Sequence, residues 1–212
     1  MTNGVFIAFE GGEGSGKSTQ AKLLLEALVA GGRKCLLTRE PGGTSGAEAI
    51  RKLLLDPPGE GWNVEAEALL FAAARSDHVA KLIQPALIEG TWVICDRFLD
   101  SSRAYQGGAG RLGDRAITDL HELGSGGLRP DCIIFIDASP DLTRARLSRR
   151  DGGRTDAIGG RTDAYHANVA ASFCQFAEDE PARYIVIDGD RSIDDIQREI
   201  RSAVLQRFDG PI

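Results

Sequence analysis

The chain has 212 residues, 42% of them apolar and 26% charged, with a formal net charge of -6. This is the composition of a globular protein large enough to bury a substantial core. The acidic balance argues against general nucleic-acid binding, which sets cationic surface against phosphates, but it allows one local basic cleft that holds a small anion.

The opening Met1-Thr2-Asn3-Gly4 has no basic region and no long apolar stretch behind it, so no secretory signal is expected. No uninterrupted apolar run is long enough to span a bilayer, and a cytoplasmic protein with neither nucleic-acid nor membrane partners is expected. Cys35, Cys95, Cys132 and Cys174 are far apart and form no CxxC pair. Free, buried thiols in a reducing compartment are the expectation.

In chain order, the apolar run Val5–Phe9 predicts a buried strand. Gly11-Gly12-Glu13-Gly14-Ser15-Gly16-Lys17-Ser18 follows it and matches GxxxxGK[ST]. Lys17–Val29, with Leu23, Leu24, Ala27 and Leu28 at helical spacing, predicts the helix that this motif requires. Lys34–Thr38 predicts a second strand, and Asp56–Gly61 an irregular loop. Glu65–Ile88 reads as a helix that Pro85 bends or divides. Trp92–Cys95, Cys132–Ile136 and Tyr184–Ile187 predict further strands. Leu142–Arg150, Ala164–Ala177 and Ile193–Arg207 predict helices, and Asp151–Gly160 an irregular segment rich in Gly, Asp and Arg. Strands joined by crossover helices imply an α/β fold, a parallel five-stranded sheet with helices on both faces. Ligands of such sheets bind beyond the carboxyl ends of the strands.

The glycine-rich motif supplies a phosphate cradle. Gly11, Gly14 and Gly16 let the backbone wrap close to oxygen atoms, and Ser15 and Thr19 complete the turn and the start of the helix, whose N-terminus favours negative charge. Lys17 is expected to bridge the β- and γ-phosphates of ATP, and Ser18 to ligate Mg²⁺. The motif implies nucleotide binding and leaves the reaction open.

Two further clusters follow strands: Thr38-Arg39-Glu40-Pro41-Gly42-Gly43-Thr44, and Asp96-Arg97-Phe98-Leu99-Asp100-Ser101-Ser102-Arg103-Ala104-Tyr105-Gln106-Gly107. Together with Leu70-Phe71-Ala72-Ala73-Ala74-Arg75, they resemble the bacterial thymidylate kinases from about residue 4 to the last strand. The resemblance implies a P-loop three-layer sandwich, one domain over residues 1–212 with a lid at about 149–163, and a homodimer. It implies Mg²⁺-dependent transfer of the ATP γ-phosphoryl group to dTMP, in dTTP synthesis. Phe71 corresponds to the aromatic stacked on thymine, Arg75 to the group bonding a thymine carbonyl, and Ser102 and Gln106 to readers of other base atoms. Tyr105 lies where a ribose hydroxyl would be disfavoured, and Arg97 where the dTMP phosphate is held. Glu13 corresponds to the acid near the sugar 3′-OH and the Mg²⁺ shell, Glu40 and Arg51 to further acceptor-site residues, and Asp96 to a Walker-B-like metal position. The chemistry agrees: a guanidinium fork suits phosphate, and stacking with a few placed polar atoms selects one base. Singly, each residue has an ordinary structural reading: Phe71 as core, Arg75 as a solvated helix charge, Asp96-Arg97 as an ion pair.

Arg144, Arg146, Arg149, Arg150, Arg154 and Arg161 cluster in the region that the resemblance makes the lid over ATP. The P-loop has no arginine before Lys17, so a lid arginine is expected to supply the catalytic cation. The Asp-Arg-x-Glu run usual in that lid reads Asp156-Ala157-Ile158-Gly159 here. Arg150, Arg154 or Arg161 is expected to substitute. Arg150 is preferred because Arg146 and Arg150 keep the family spacing, with Arg146 toward ATP; a solvated face is the alternative for any one of them. Arg191, after the last strand, is expected near adenine. His78, His121 and His166 have neither metal nor triad spacing and are given no chemistry. Two rival functions are a kinase for another small acceptor and a nucleotide switch, although no NKxD-type guanine-reading run is present.

Overall fold

The computed structural model describes residues 4–151 and 156–209, apart from the side chains of 150 and 151. Five strands, β1 (Phe6–Glu10), β2 (Cys35–Arg39), β3 (Trp92–Asp96), β4 (Cys132–Asp137) and β5 (Tyr184–Asp188), form one parallel sheet in the order β2-β3-β1-β4-β5. Side chains alternate across it. From β1, Ile7 and Phe9 pack with Leu24 of helix α1 (Lys17–Ala30) and Ile196 and Ile200 of α9 (Ile193–Asp209). Phe6 and Ala8 point the other way, into a cluster with Val79, Ile83 and Phe98. With both faces covered, the central strands are apolar along nearly their whole length, the pattern of buried parallel sheets.

Each strand runs one residue further than its apolar run predicts, and each added residue is charged: Glu10, Arg39, Asp96, Asp137 and Asp188. Hydropathy cannot assign these residues, because the ladder carries them and not burial against a helix. Asp96 is in register with both Phe9 and Arg39, and Asp137 with Asp188. The carboxyl edge of the sheet is therefore a charged rim.

The long predicted helix is divided. α3 (Val64–His78), capped by the Asn63 side chain accepting from Ala66 N (2.8 Å), leads into a π-helical turn, Val79–Ile83, and then the short α4 (Gln84–Ile88). Pro85 has no N–H for the Lys81 carbonyl, and its ring crowds that turn; the wider register absorbs both faults. Three helical segments lie where the sequence reading assigned no helix. α2 (Ser45–Leu55) is capped by Thr44. α5 (Leu99–Ser102) continues as a π-helical turn, Arg103–Ala109. α6 (Asp114–Ser125) ends at left-handed Gly126. Gly46, Gly107 and Gly108 weaken the helical signal in the first two. α7 (Pro140–Asp151) and α8 (Asp163–Asp179) complete the chain. Cys95 and Cys132 are buried in β3 and β4, and Cys35 and Cys174 are partly buried. Among the described residues, no helix is long and apolar enough to cross a membrane.

Candidate active site

Beyond β1 the chain turns at Gly11, whose φ is 139°, and a Cβ there would lie 2.6 Å from the Ile136 carbonyl oxygen. Gly14, at φ 75°, faces the Thr143 carbonyl of α7 just as closely. No larger residue fits either place without moving backbone. Lys17 is buried, and its Nζ donates to Gly12 O (2.5 Å) and Ser15 Oγ (3.2 Å). Burial, with the nearby Arg97 charge, lowers the Lys17 pKa to about 7. Arg146 reaches over from α7 and donates to Ser15 O (3.0 Å), Gly14 O (3.4 Å) and Gly189 O (3.3 Å). It clasps the loop to the end of β5.

Ser18 Oγ donates to Asp96 Oδ2. Asp96 Oδ1 is buried and has no hydrogen-bond partner among the described residues. One carboxylate oxygen left over beside a hydroxyl, at the edge of a phosphate cradle, is a donor set that fits a hard divalent cation.

Arg97 stands between the cradle and the second half of the site. Its φ is 72°, a conformation that costs an L-residue about 1–2 kcal/mol. The turn is held by Arg97 N donating to Phe9 O (2.9 Å) and by Phe98 N and Ser101 N donating to Glu10 Oε1 (2.8 and 3.2 Å). Ser101 Oγ donates to Glu10 Oε2 (2.6 Å). Burial, then Asp100, raises the Glu10 pKa to about 7. So anchored, the Arg97 guanidinium donates to Gly11 O and Ser101 Oγ (3.0 Å each) and lies 3.5 Å from Glu13 Oε1, 5.3 Å above the Tyr105 ring.

On the far side, Arg75 is 3% exposed. Its Nε donates to Glu40 Oε2 (2.7 Å), and its Nη2 to Ser102 Oγ (2.9 Å) and Phe98 O (3.2 Å). Fully buried His78 links Glu40 Oε1 (3.0 Å) to Thr38 Oγ1 (2.7 Å). Every charge here has a close partner, the condition for burying charge at all. Arg51 donates to Pro41 O (2.7 Å). Gln106 is held by Glu67, and Glu67 in turn by Arg161.

One cavity of about 640 Å³ joins these parts. Its walls include Glu13 through Thr19, Glu40, Arg51, Phe71, Arg75, Asp96, Arg97, Ser102, Tyr105, Gln106 and Arg146. Gly11 lies just behind, offering its carbonyl to Arg97. Arg191 is not brought in: its Nη2 pairs with Glu199, its Nε lies 3.7 Å from Asp188, and it borders a shallow depression instead. The Arg150 side chain and all of Arg154 lie outside the described residues. Sequence reading passed over Glu10, Glu67, His78 and Ser101, which position the others. A buried Glu at the end of an apolar strand was a visible signal; Glu67 and His78 carried none, because their partners Gln106 and Glu40 lie 39 and 38 residues away in the chain. His121 Nε2 donates to Leu128 O (2.7 Å), its ring lies edge-on to Phe98 behind the cavity wall, and burial lowers its pKa to about 4.

A parallel sheet with a P-loop after its central strand, and a partly buried arginine just past the adjacent strand facing it across one cavity, defines a P-loop phosphotransferase. The thymidylate kinase family model matches residues 9–200. A thymidylate kinase from Rhizorhabdus wittichii is 50% identical over 95% of this chain and 97% of its own length. One from Symbiobacterium thermophilum is 48% identical over 94% and 92%. The crystal structure of thymidylate kinase from Ehrlichia chaffeensis superposes with a TM-score of 0.77 at 32% identity, covering 95% of this chain and 99% of that one. The chain belongs to the thymidylate kinase family.

Proposed function

We propose that this enzyme transfers the γ-phosphoryl group of ATP to dTMP, giving dTDP and ADP on the way to dTTP. The observation that carries this reading is the single cavity in which Lys17 and the P-loop face Arg97, with Phe71, Arg75, Ser102 and Gln106 beyond it. The reaction is in-line attack of a dTMP phosphate oxygen on the γ-phosphorus. That oxygen is already anionic near neutral pH, since the second pKa of a phosphate monoester is about 6, so no strong base is needed. Positioning and cationic stabilisation carry such transfers. Lys17 would leave its loop contacts for the polyphosphate, and Arg97 would hold the acceptor phosphate in line with it. Glu13 would orient Arg97 and the sugar, with Tyr105 against the sugar face. Glu40 and Arg51 would frame the acceptor side. Ser18 and Asp96 would hold Mg²⁺, which supplies charge neutralisation at the phosphates.

The lid is proposed at residues 149–163 of one domain spanning 1–212, with Arg150 as its cation, because spacing favours it and Arg161 is engaged with Glu67. Arg191 stays an adenine-side proposal resting on resemblance alone. A homodimer and a cytoplasmic setting rest on the same resemblance. Leu69 and Leu123, exposed on the packed helices α3 and α6, are surface that a second copy would cover; sedimentation equilibrium at a monomer mass, or fractionation with membranes, would refute these two points. The main test is ADP production with dTMP, dUMP, CMP and AMP. A clear preference for dTMP is expected, and preference for another acceptor, or acceptor-independent hydrolysis, overturns the proposal.

A further inference from the structure

Glu67, Phe71 and Arg75 stand four residues apart on α3, which puts them on one helix face. Phe71 and Arg75 line the cleft, and Glu67 lies behind Gln106. Glu67 is 6% exposed and belongs to a closed circuit. Gln106 Nε2 donates to Glu67 Oε1 (2.8 Å), and Arg161 Nη2 donates to Glu67 Oε2. Arg161 Nη1 donates to the Tyr165 hydroxyl, which donates to the Tyr105 carbonyl (2.6 Å). The circuit leaves the acceptor turn at Gln106 and returns to it at Tyr105, the neighbouring residue.

A side-chain amide has a donor end and an acceptor end of nearly equal size, and left alone it can present either. A carboxylate paired with a guanidinium only accepts. Glu67 therefore selects the NH₂ end of Gln106, and the end of the amide left for the cleft is its carbonyl. We propose that Glu67 is a positioning residue for base selection. By fixing the polarity of Gln106, it makes the pocket accept a base edge that offers an N–H, the imide edge of thymine or uracil, and refuse the bare ring nitrogen that cytosine presents there. Arg161 pairs with the second Glu67 oxygen and so holds the carboxylate against Gln106. Rejection by a mispaired polar group is the strong form of discrimination, because the wrong base leaves buried atoms without partners.

This inference rests on dTMP being the acceptor, and one experiment separates the two. ADP production is measured over a range of dTMP and dCMP concentrations for the wild type, Glu67→Gln, and the exchange variant Glu67→Gln with Gln106→Glu. The wild type favouring dTMP sustains the acceptor reading; the wild type showing no such preference sinks both. Given that preference, Glu67→Gln is expected to lower the dTMP-to-dCMP ratio of kcat/KM by about tenfold or more. The change falls on KM for dTMP and on activity gained with dCMP, with kcat for dTMP moved little. In the exchange variant the amide at 67 donates to the carboxylate at 106, whose other oxygen again faces the cleft as an acceptor, and the ratio recovers. Should Glu67→Gln fold poorly, the exchange variant alone still decides: a ratio collapsed in it overturns the proposal. An unchanged ratio in Glu67→Gln overturns it equally, since a merely structural carboxylate would alter stability and both substrates alike.

Discussion

The two halves of the cleft handle charge in opposite ways. On the P-loop side, Lys17 is turned onto its own loop and Ser18 onto Asp96, contacts that a polyphosphate and a cation would replace. On the acceptor side, Arg75, Glu40 and His78, and likewise Gln106, Glu67 and Arg161, satisfy one another inside the protein. In the proposed reaction the first half would exchange partners at each turnover. The second is assembled before any ligand arrives, so its cost is met on folding. Removing a charge from the first half should therefore hurt chemistry and spare stability, and removing one from the second should hurt stability as well.

The largest effect expected is that of Lys17→Met. Single-turnover phosphoryl transfer should fall about a thousandfold, in the range seen when a cation is lost from a developing phosphoryl charge. Its melting temperature should stay level or rise, because a buried lysine with a depressed pKa is removed. A loss of rate below tenfold would break the assignment. Next, Arg75→Leu leaves Glu40 buried beside His78 without its guanidinium, and urea unfolding should show a loss of about 3 kcal/mol or more. A variant as stable as the wild type would erase the distinction between the halves.

The smallest effect is a proton. In the free enzyme the Lys17 pKa lies near 7, so at pH 8 the amine is mostly neutral. A bound triphosphate favours the ammonium form and raises that pKa. ATP binding at pH 8 should then take up a fraction of a proton, and at pH 6, where Lys17 is already charged, it should take up none through this group. Calorimetry in buffers of different ionisation enthalpy reads the difference, and the uptake should vanish in Lys17→Met. Equal uptake in that variant would assign the proton elsewhere.

The P-loop half was legible because its logic is local. A strand, eight residues and a helix fix Gly11 to Ser18, and the glycines carry the geometry in their identity. The acceptor half was legible only as a resemblance. Arg75 acquires meaning from Glu40, 35 residues away in the chain, and Gln106 from Glu67, 39 residues away. No periodicity records such pairings. The strand ends were misplaced by one residue for a related reason: Asp96 and its counterparts belong to the ladder by backbone pairing, while hydropathy sees only side chains. The π-helical turn at Arg103–Ala109 was invisible because it looks like a loop rich in Gly and polar residues, although it sets how Tyr105 and Gln106 meet the cleft.

The cavity walls also have a sign. Lys17, Arg39, Arg51, Arg75, Arg97, Arg146 and Arg149 line them, against Glu13, Glu40, Asp96 and Asp156, in a chain whose formal net charge is -6. An electropositive mouth set in an electronegative body draws anions inward and discourages their lodging anywhere else. Capture of nucleotides should thereby depend on ionic strength through a screening length of about 8 Å at physiological salt, and the proposed transfer between groups deep in the cleft should depend on it less.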